Sequence, residues 1–435
     1  MKFKVQLLLF FTCLFFIHCS NKDIKEGYKN GMVVSANSLA SQVGIDILKN
    51  GGNAFDAAIG VQFALSVVYP NAGNIGGGGF VVYRLNDGSV GSLDFREKAP
   101  RKATRNMYLD DNNEVYIEKS KFGHLASGIP GSVDGMVKLH EKFGSLDWKN
   151  LLEPSIKLSK NGFKLTKNQA ISLNGVKESF LKLNDSSISL INKNEWKEND
   201  LLVQNNLYKT LERIKNDKRA GFYSGETAQL LLNEMNQGNG IFTLEDLDNY
   251  SSIWREPIIG NYKNHKIISI GPPSSGGIAL VQMLNGAEKL NVNKYEHNSK
   301  DYIHVISEIE SRVYADRATY LGDPDFFEVP SNTLISDKYL QNKFSTIDLN
   351  KKTPSSDIKE GQITMNETEE TTHFSIVDKF GNAVSITTTI NGSYGSKVVV
   401  DGAGFLLNNE MDDFSIKPGF PNMFGLTGGE ANAIE

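Results

Sequence analysis

Cysteine is nearly absent. The 435-residue chain has two, Cys13 and Cys19, both within the first twenty residues. A disulfide framework, a Cys-x-x-Cys zinc site and a cysteine nucleophile in the body are thereby excluded. Arginine is used sparingly, with nine against 37 lysines. Excess positive charge is lacking too. The formal charge of −5 and the isoelectric point near 5.9 argue against nucleic acid as the main partner. Beyond the N-terminus no stretch approaches eighteen apolar residues, so the body has no span-length segment. There is no Gly-x-Ser-x-Gly elbow and no internal repeat. His124, His265, His304 and His373 are isolated in sequence and read as structural. What remains is ample for a large core. Hydrophobic residues make up 40% of the chain, which excludes general disorder. Glycine, at 40 residues, slightly exceeds the usual share of ~7% and signals tight turns and close backbone approaches.

The first nineteen residues read as an export segment. Lys2 and Lys4 precede an apolar run from Val5 to Ile17, a pattern that fits a secretory signal and is short for a membrane-spanning helix. The run ends at Cys19-Ser20-Asn21, which resembles a bacterial lipoprotein signal, although His18 stands where a small residue is usual. Cys19 is the expected lipid site, and periplasm or outer membrane the expected location. An uncleaved anchor is the other reading.

Downstream, apolar residues at helical spacing predict a helix from Ser38, with Ser38 as its cap and Gly51-Gly52 as its stop. Asn53 is the predicted cap of a second helix, ended by Pro70. A hairpin follows across Phe80–Leu85 and Ser89–Glu97, joined by Asn86-Asp87-Gly88. The middle, about 136–345, reads as mostly helical, with a capping box at Thr243 and Asp246. Residues 346–370 are polar and read as an exposed connection. A second hairpin is predicted over 371–391, with Lys379-Phe380-Gly381 as its loop. In that register facing residues sum to 760, so Thr371 lies opposite Thr389.

Four features could carry chemistry. The glycine run 76–79 is followed by a strand rather than a helix, which disfavours phosphate binding and favours close backbone packing or an anion-holding turn. Arg96 ends a strand. It could grip a carboxylate through two parallel hydrogen bonds, or simply pair with Asp94 or Glu97. Glu410, Asp412 and Asp413 could hold an ammonium or a metal ion, or form a capped polar turn; no histidine or calcium-loop spacing supports metal. Thr371 follows the exposed segment ending at Glu370. Its hydroxyl becomes a good nucleophile only if the chain is cut before it, which frees an amine as base.

Together these segments resemble the γ-glutamyltransferase family, also called γ-glutamyltranspeptidase or glutathione hydrolase. The resemblance rests on GGNAFDAAI, NAGNIGGGGF, DFREKAP, ASGIPGSV, PPSSGGI, YADRATYLGDPDF, TTHFSIVDKFGNAVSITTTIN, LLNNEMDDF and GGEANAI, in that order across residues 31–435. It implies an α/β fold, the four-layer αββα sandwich of N-terminal-nucleophile hydrolases. It also implies a precursor that cuts itself into a large subunit (20–370, after the 1–19 export segment) and a small one beginning at 371, which stay associated. Cleavage is expected between Glu370 and Thr371. Thr371 is the implied nucleophile and Thr389 its support. Arg96 would take the α-carboxylate of the γ-glutamyl group, Asn391 would add a hydrogen bond, and Glu410 and Asp413 would hold the α-ammonium. Phe424, in a lid-like region 418–429, is either a cover for the glutamyl group or a packing residue. Glutathione and other γ-glutamyl compounds are the implied substrates, water or amino-acid and peptide amines the acceptors, with no metal or organic cofactor. The expected sandwich is incomplete at its C-terminus, because the family's Pro-Leu-Ser-Ser segment and oxyanion-hole glycines would follow Glu435. The competing expectations are a related side-chain acylase, a γ-polyglutamate depolymerase, or a non-catalytic exported protein.

Overall fold

The computed structural model describes residues 29–184, 188–358, 371–426 and 428–434. Cys19, Glu370 and the export segment lie outside the described residues.

Strand β1 (Gly31–Val34) leads into helices α1 (Ser38–Lys49) and α2 (Ala54–Val68). The cap of α1 is Asn37 and not Ser38. Asn37 sits in extended conformation one residue earlier, where its side chain accepts the Leu39 N–H. Asn53 caps α2 as expected, in a reciprocal box with Asp56. Every residue of α2 is buried, which fits its near-continuous apolar sequence. Strands β2 (Gly78–Arg84) and β3 (Val90–Asp94) form the first predicted hairpin. Helices α3 (Ser132–Phe143) and α4 (Trp148–Asn161) pack against α2.

The middle of the chain is not uniformly helical. Strand β4 (Ile253–Arg255) pairs with β3, and a separate hairpin of β5 (Ile258–Tyr262) and β6 (His265–Ser269) precedes helices α5 (Gly276–Lys289) and α6 (Lys300–Tyr320). This lobe buries its own apolar clusters, one around Val305, Ile309 and Phe344 and one around Ile258, Ile278 and Val281. The Thr243–Asp246 capping box is present.

Strands β7 (Thr372–Asp378) and β8 (Ala383–Thr389) join the main sheet. Its order is β1-β7-β8-β2-β3-β4, antiparallel throughout. Among the described residues the last strands in sequence thus lie inside the sheet. On one face Phe374, Ile376, Val384, Ile386, Val81 and Leu93 are buried in the core with α2. On the other face Thr371, His373 and Val377 are exposed. Among the described residues no helix is long and apolar enough to cross a membrane.

Candidate active site

The β7–β8 hairpin has the register expected from its loop. Val377 faces Ala383, Ile376 faces Val384 and Thr372 faces Thr388. Gly381, with φ of +90°, takes the left-handed position that closes the turn. Alternation along the two strands then brings Thr371 and Thr389 together on the open face, Oγ1 to Oγ1 at 3.4 Å. The Thr389 hydroxyl also accepts the Asn391 N–H at 2.8 Å. Asn391 is buried, and its side-chain amide donates to the Asn409 carbonyl at 2.9 Å.

Asn74 anchors this end of β8. Its Nδ2 donates to the Thr389 carbonyl at 2.9 Å and to Thr388 Oγ1 at 3.0 Å, while its Oδ1 accepts from Gly77 N and Ser132 Oγ. The glycine run is a site of close backbone packing. A Cβ on Gly76 would stand 2.1 Å from the Leu406 carbonyl, and one on Gly77 would stand 2.1 Å from the Thr389 carbonyl.

Arg96 leaves the end of β3, where its N–H donates to Asp94 Oδ1 and its carbonyl accepts from Tyr250 Oη. Its guanidinium pairs with neither Asp94 nor Glu97. Nη2 donates instead to Glu410 Oε1 at 2.7 Å and to Asp413 Oδ2. Both acids lie on one helical turn, Glu410–Asp413. Asn408 holds that turn: its Oδ1 accepts from Glu410 N and Gly128 N, and its Nδ2 donates to the Gly76 and Gly128 carbonyls. The neighbouring Asn409 receives Gly392 N–H and Asn391 Nδ2, so the Arg96 cluster is tied to the end of the strand bearing Thr389.

The electrostatics are those of a buried acid cluster around one cation. Burial pushes the Glu410 carboxyl up to about 7 from the usual 4.5, against the pull of Arg96 and with a further push from Asp413. Burial, then the Glu410 charge, holds Glu97 well above its usual range. Neither Glu97 carboxylate oxygen finds a partner among the described residues. Burial alone would lower the Arg96 guanidinium, but the charges of Glu410 and Asp413 outweigh it and raise it. A cavity of about 220 Å³ is lined by Arg96, Glu97, Glu410, Asp413, Phe420 and Asn422 among others; Thr371, Thr389 and Asn391 are not part of that lining. It therefore meets the acid cluster from one side, and Thr371 faces the open side of the sheet.

Asp412 stands apart from its acidic neighbours. It accepts from Ser120 Oγ at 2.5 Å and from Met423 N at 2.8 Å, and burial raises its carboxyl. Phe424 is half-buried in the following loop. Asn74, Asn408 and Asn422 escaped the sequence reading as individuals, although Asn74 and Asn408 lie within quoted motifs.

The sequence matches the γ-glutamyltranspeptidase family over residues 40–435. The chain belongs to that family. It is 45% identical to the glutathione hydrolase proenzyme of Escherichia coli K12 over 412 residues, covering 93% of this chain and 70% of that protein. The crystal structure of Helicobacter pylori γ-glutamyltranspeptidase is similar with a TM-score of 0.75 and 44% identity, over 79% of this chain and 99% of that one. The cephalosporin acylase of Bacillus halodurans shares the fold, with a TM-score of 0.76 at 24% identity over 92% of this chain and 73% of that one. This γ-glutamyltranspeptidase family member is thus an acyltransferase with the N-terminal-nucleophile hydrolase fold, and its chemistry is γ-glutamyl transfer and hydrolysis.

Proposed function

We propose that the protein acts on glutathione and other γ-glutamyl compounds through Thr371, after cutting itself between Glu370 and Thr371. In the cut, Thr371 Oγ attacks the carbonyl carbon of residue 370. The peptide C–N bond breaks, an ester forms, and water hydrolyses it to leave a free amine on Thr371. The large part, 20–370, and the small part from 371 onward remain associated. In turnover that amine takes the proton from Oγ as Oγ attacks the γ-carbonyl of the donor. The proton passes to the departing amine, and a threonyl γ-glutamyl ester remains. Water or an amino-acid or peptide amine then attacks the ester and regenerates the hydroxyl.

The observation that carries this reading is Arg96 held between Glu410 and Asp413, tied through Asn409 to Asn391 and the end of β8. A γ-glutamyl donor is a zwitterion at its α-carbon. It can replace this ion pair charge for charge, its carboxylate on Arg96 and its ammonium on the two acids. Asn391 adds a hydrogen bond to the seated glutamyl group, and Thr389 supports the nucleophile. A side-chain acylase or a γ-polyglutamate depolymerase would not need both halves of this clamp. The export segment suits a protein acting outside the cytoplasm, with Cys19 as the lipid attachment point.

The test is to express the chain and sequence its N-termini. A new terminus at Thr371 is expected, together with release of p-nitroaniline from γ-glutamyl-p-nitroanilide, both abolished in Thr371→Ala. A wild-type chain that stays in one piece and releases no chromophore would overturn the proposal.

A further inference from the structure

The loop after the acidic turn is fastened to it by two adjacent side chains. Asn422 Oδ1 accepts the N–H groups of Phe424 and Leu426, each at 3.0 Å. Those two donors settle which end of the amide is oxygen. Its Nδ2 therefore faces the acidic turn and donates to Asp413 Oδ1 at 3.3 Å. The other Asp413 oxygen, Oδ2, is the one that holds Arg96. The next loop residue, Met423, gives its N–H to Asp412 Oδ2 at 2.8 Å, and Asp412 is braced from behind by Ser120. Two consecutive acids thus hold two consecutive loop residues.

We propose that Asn422 is a positioning residue that couples the loop bearing Phe424 to the donor clamp, through the Asp413 oxygen that does not hold Arg96. The inference rests on the assignment of Arg96, Glu410 and Asp413 as that clamp. A carboxylate free to rotate would offer either oxygen to the donor ammonium. With Oδ1 engaged by Asn422, Oδ2 is held toward Arg96 and toward the incoming charge. Coupling of this kind is reciprocal. Whatever the ordered loop contributes to donor binding, a bound donor returns as order in the loop. Asp413 is therefore where occupancy of the site is communicated to residues 417–426, and no contact between Phe424 and the donor is required for that.

Asn422→Asp is the discriminating variant. It keeps the size of the side chain and an acceptor for Phe424 and Leu426 N–H, so the loop's own turn survives. It replaces the donor facing Asp413 with a second carboxylate. The KM for γ-glutamyl-p-nitroanilide should rise about tenfold, as expected for losing a hydrogen bond to a charged group, with kcat within about twofold. Asn422→Ser, which retains an acceptor but cannot reach Asp413, should show the same pattern and covers the case in which the aspartate variant folds poorly. The second readout is hydrogen exchange of a peptide spanning 417–426. Saturating L-glutamate should slow exchange in the wild type and not in either variant. An unchanged KM, or full glutamate-dependent slowing in the variants, overturns the coupling. Arg96→Lys separates the two levels. If it leaves KM unchanged, the clamp assignment itself is wrong; if it raises KM while Asn422→Asp does not, only the coupling fails.

Discussion

At the scale of single residues, the candidate site is an arginine held between two acids. Arg96 to Lys keeps the charge and loses the planar fork, so KM for γ-glutamyl donors should rise by roughly 10–100-fold with a smaller change in kcat. An unchanged KM would remove Arg96 from the clamp. Glu410 gives a pH signature. It must be ionised to hold an ammonium, and its carboxyl titrates at about 7 in the folded chain. Donor kcat/KM should therefore rise with pH through that value, and Glu410→Gln should flatten this limb. Stability runs the other way. A carboxyl raised from 4.5 to about 7 favours the fold fully below the lower value, and that contribution is lost as pH rises through the upper one. The thermal midpoint of Glu410→Gln should accordingly gain on wild type between pH 5 and 8; a constant difference would contradict the burial argument. Motif reading brought out Arg96, Glu410 and Asp413 as residues, but their partnership spans more than three hundred positions. Spacing pointed instead to Asp94 and Glu97 as partners for Arg96.

At the scale of elements, the hairpin carrying Thr371 and the glycine run beside it act together. Gly77→Ala would drive a Cβ into the Thr389 carbonyl, backbone against backbone, so neither side can yield by a rotamer change. The expected result is a loss of stability of about 1–3 kcal/mol and a larger proportional loss of activity. Wild-type activity at a normal thermal midpoint would show that β8 can move. Asn53→Ala, which removes the side-chain half of the α2 capping box and leaves the backbone N–H of residue 53 on Asp56, should cost about 1 kcal/mol with donor KM unaffected. The β7–β8 register was legible because a glycine-terminated three-residue loop fixes it. The β5–β6 hairpin was not, because its turn at Tyr262–His265 has no glycine or proline. Lys263 itself takes the left-handed conformation there, with φ of +51°. The cap of α1 slipped by one residue because Asn37 and Ser38 are both good caps, and only the backbone decides between them.

At the scale of the whole molecule, the strand order determines what self-cleavage can and cannot do. Strands β7 and β8 lie between β1 and β2, and Asp378 at the end of β7 accepts the N–H of Ala54 at the start of α2. A cut before Thr371 therefore frees a terminus without freeing a strand. The two pieces should co-elute in native chromatography and part only in denaturant; a small piece eluting alone without denaturant would contradict this topology. No sequence signal revealed this order, since periodicity identifies strands without naming their neighbours. The same order also sets a timetable for synthesis. β1 has β7 as its partner, and β2 meets β7 only through β8. A growing chain thus carries β1 unpaired through more than three hundred residues before its partner is made. Such late, long-range pairing is slow to form and leaves apolar strands open to wrong company. The proposed nucleophile therefore stands at the start of the very strand that β1 waits for, so its chemistry can begin only once that pairing is made.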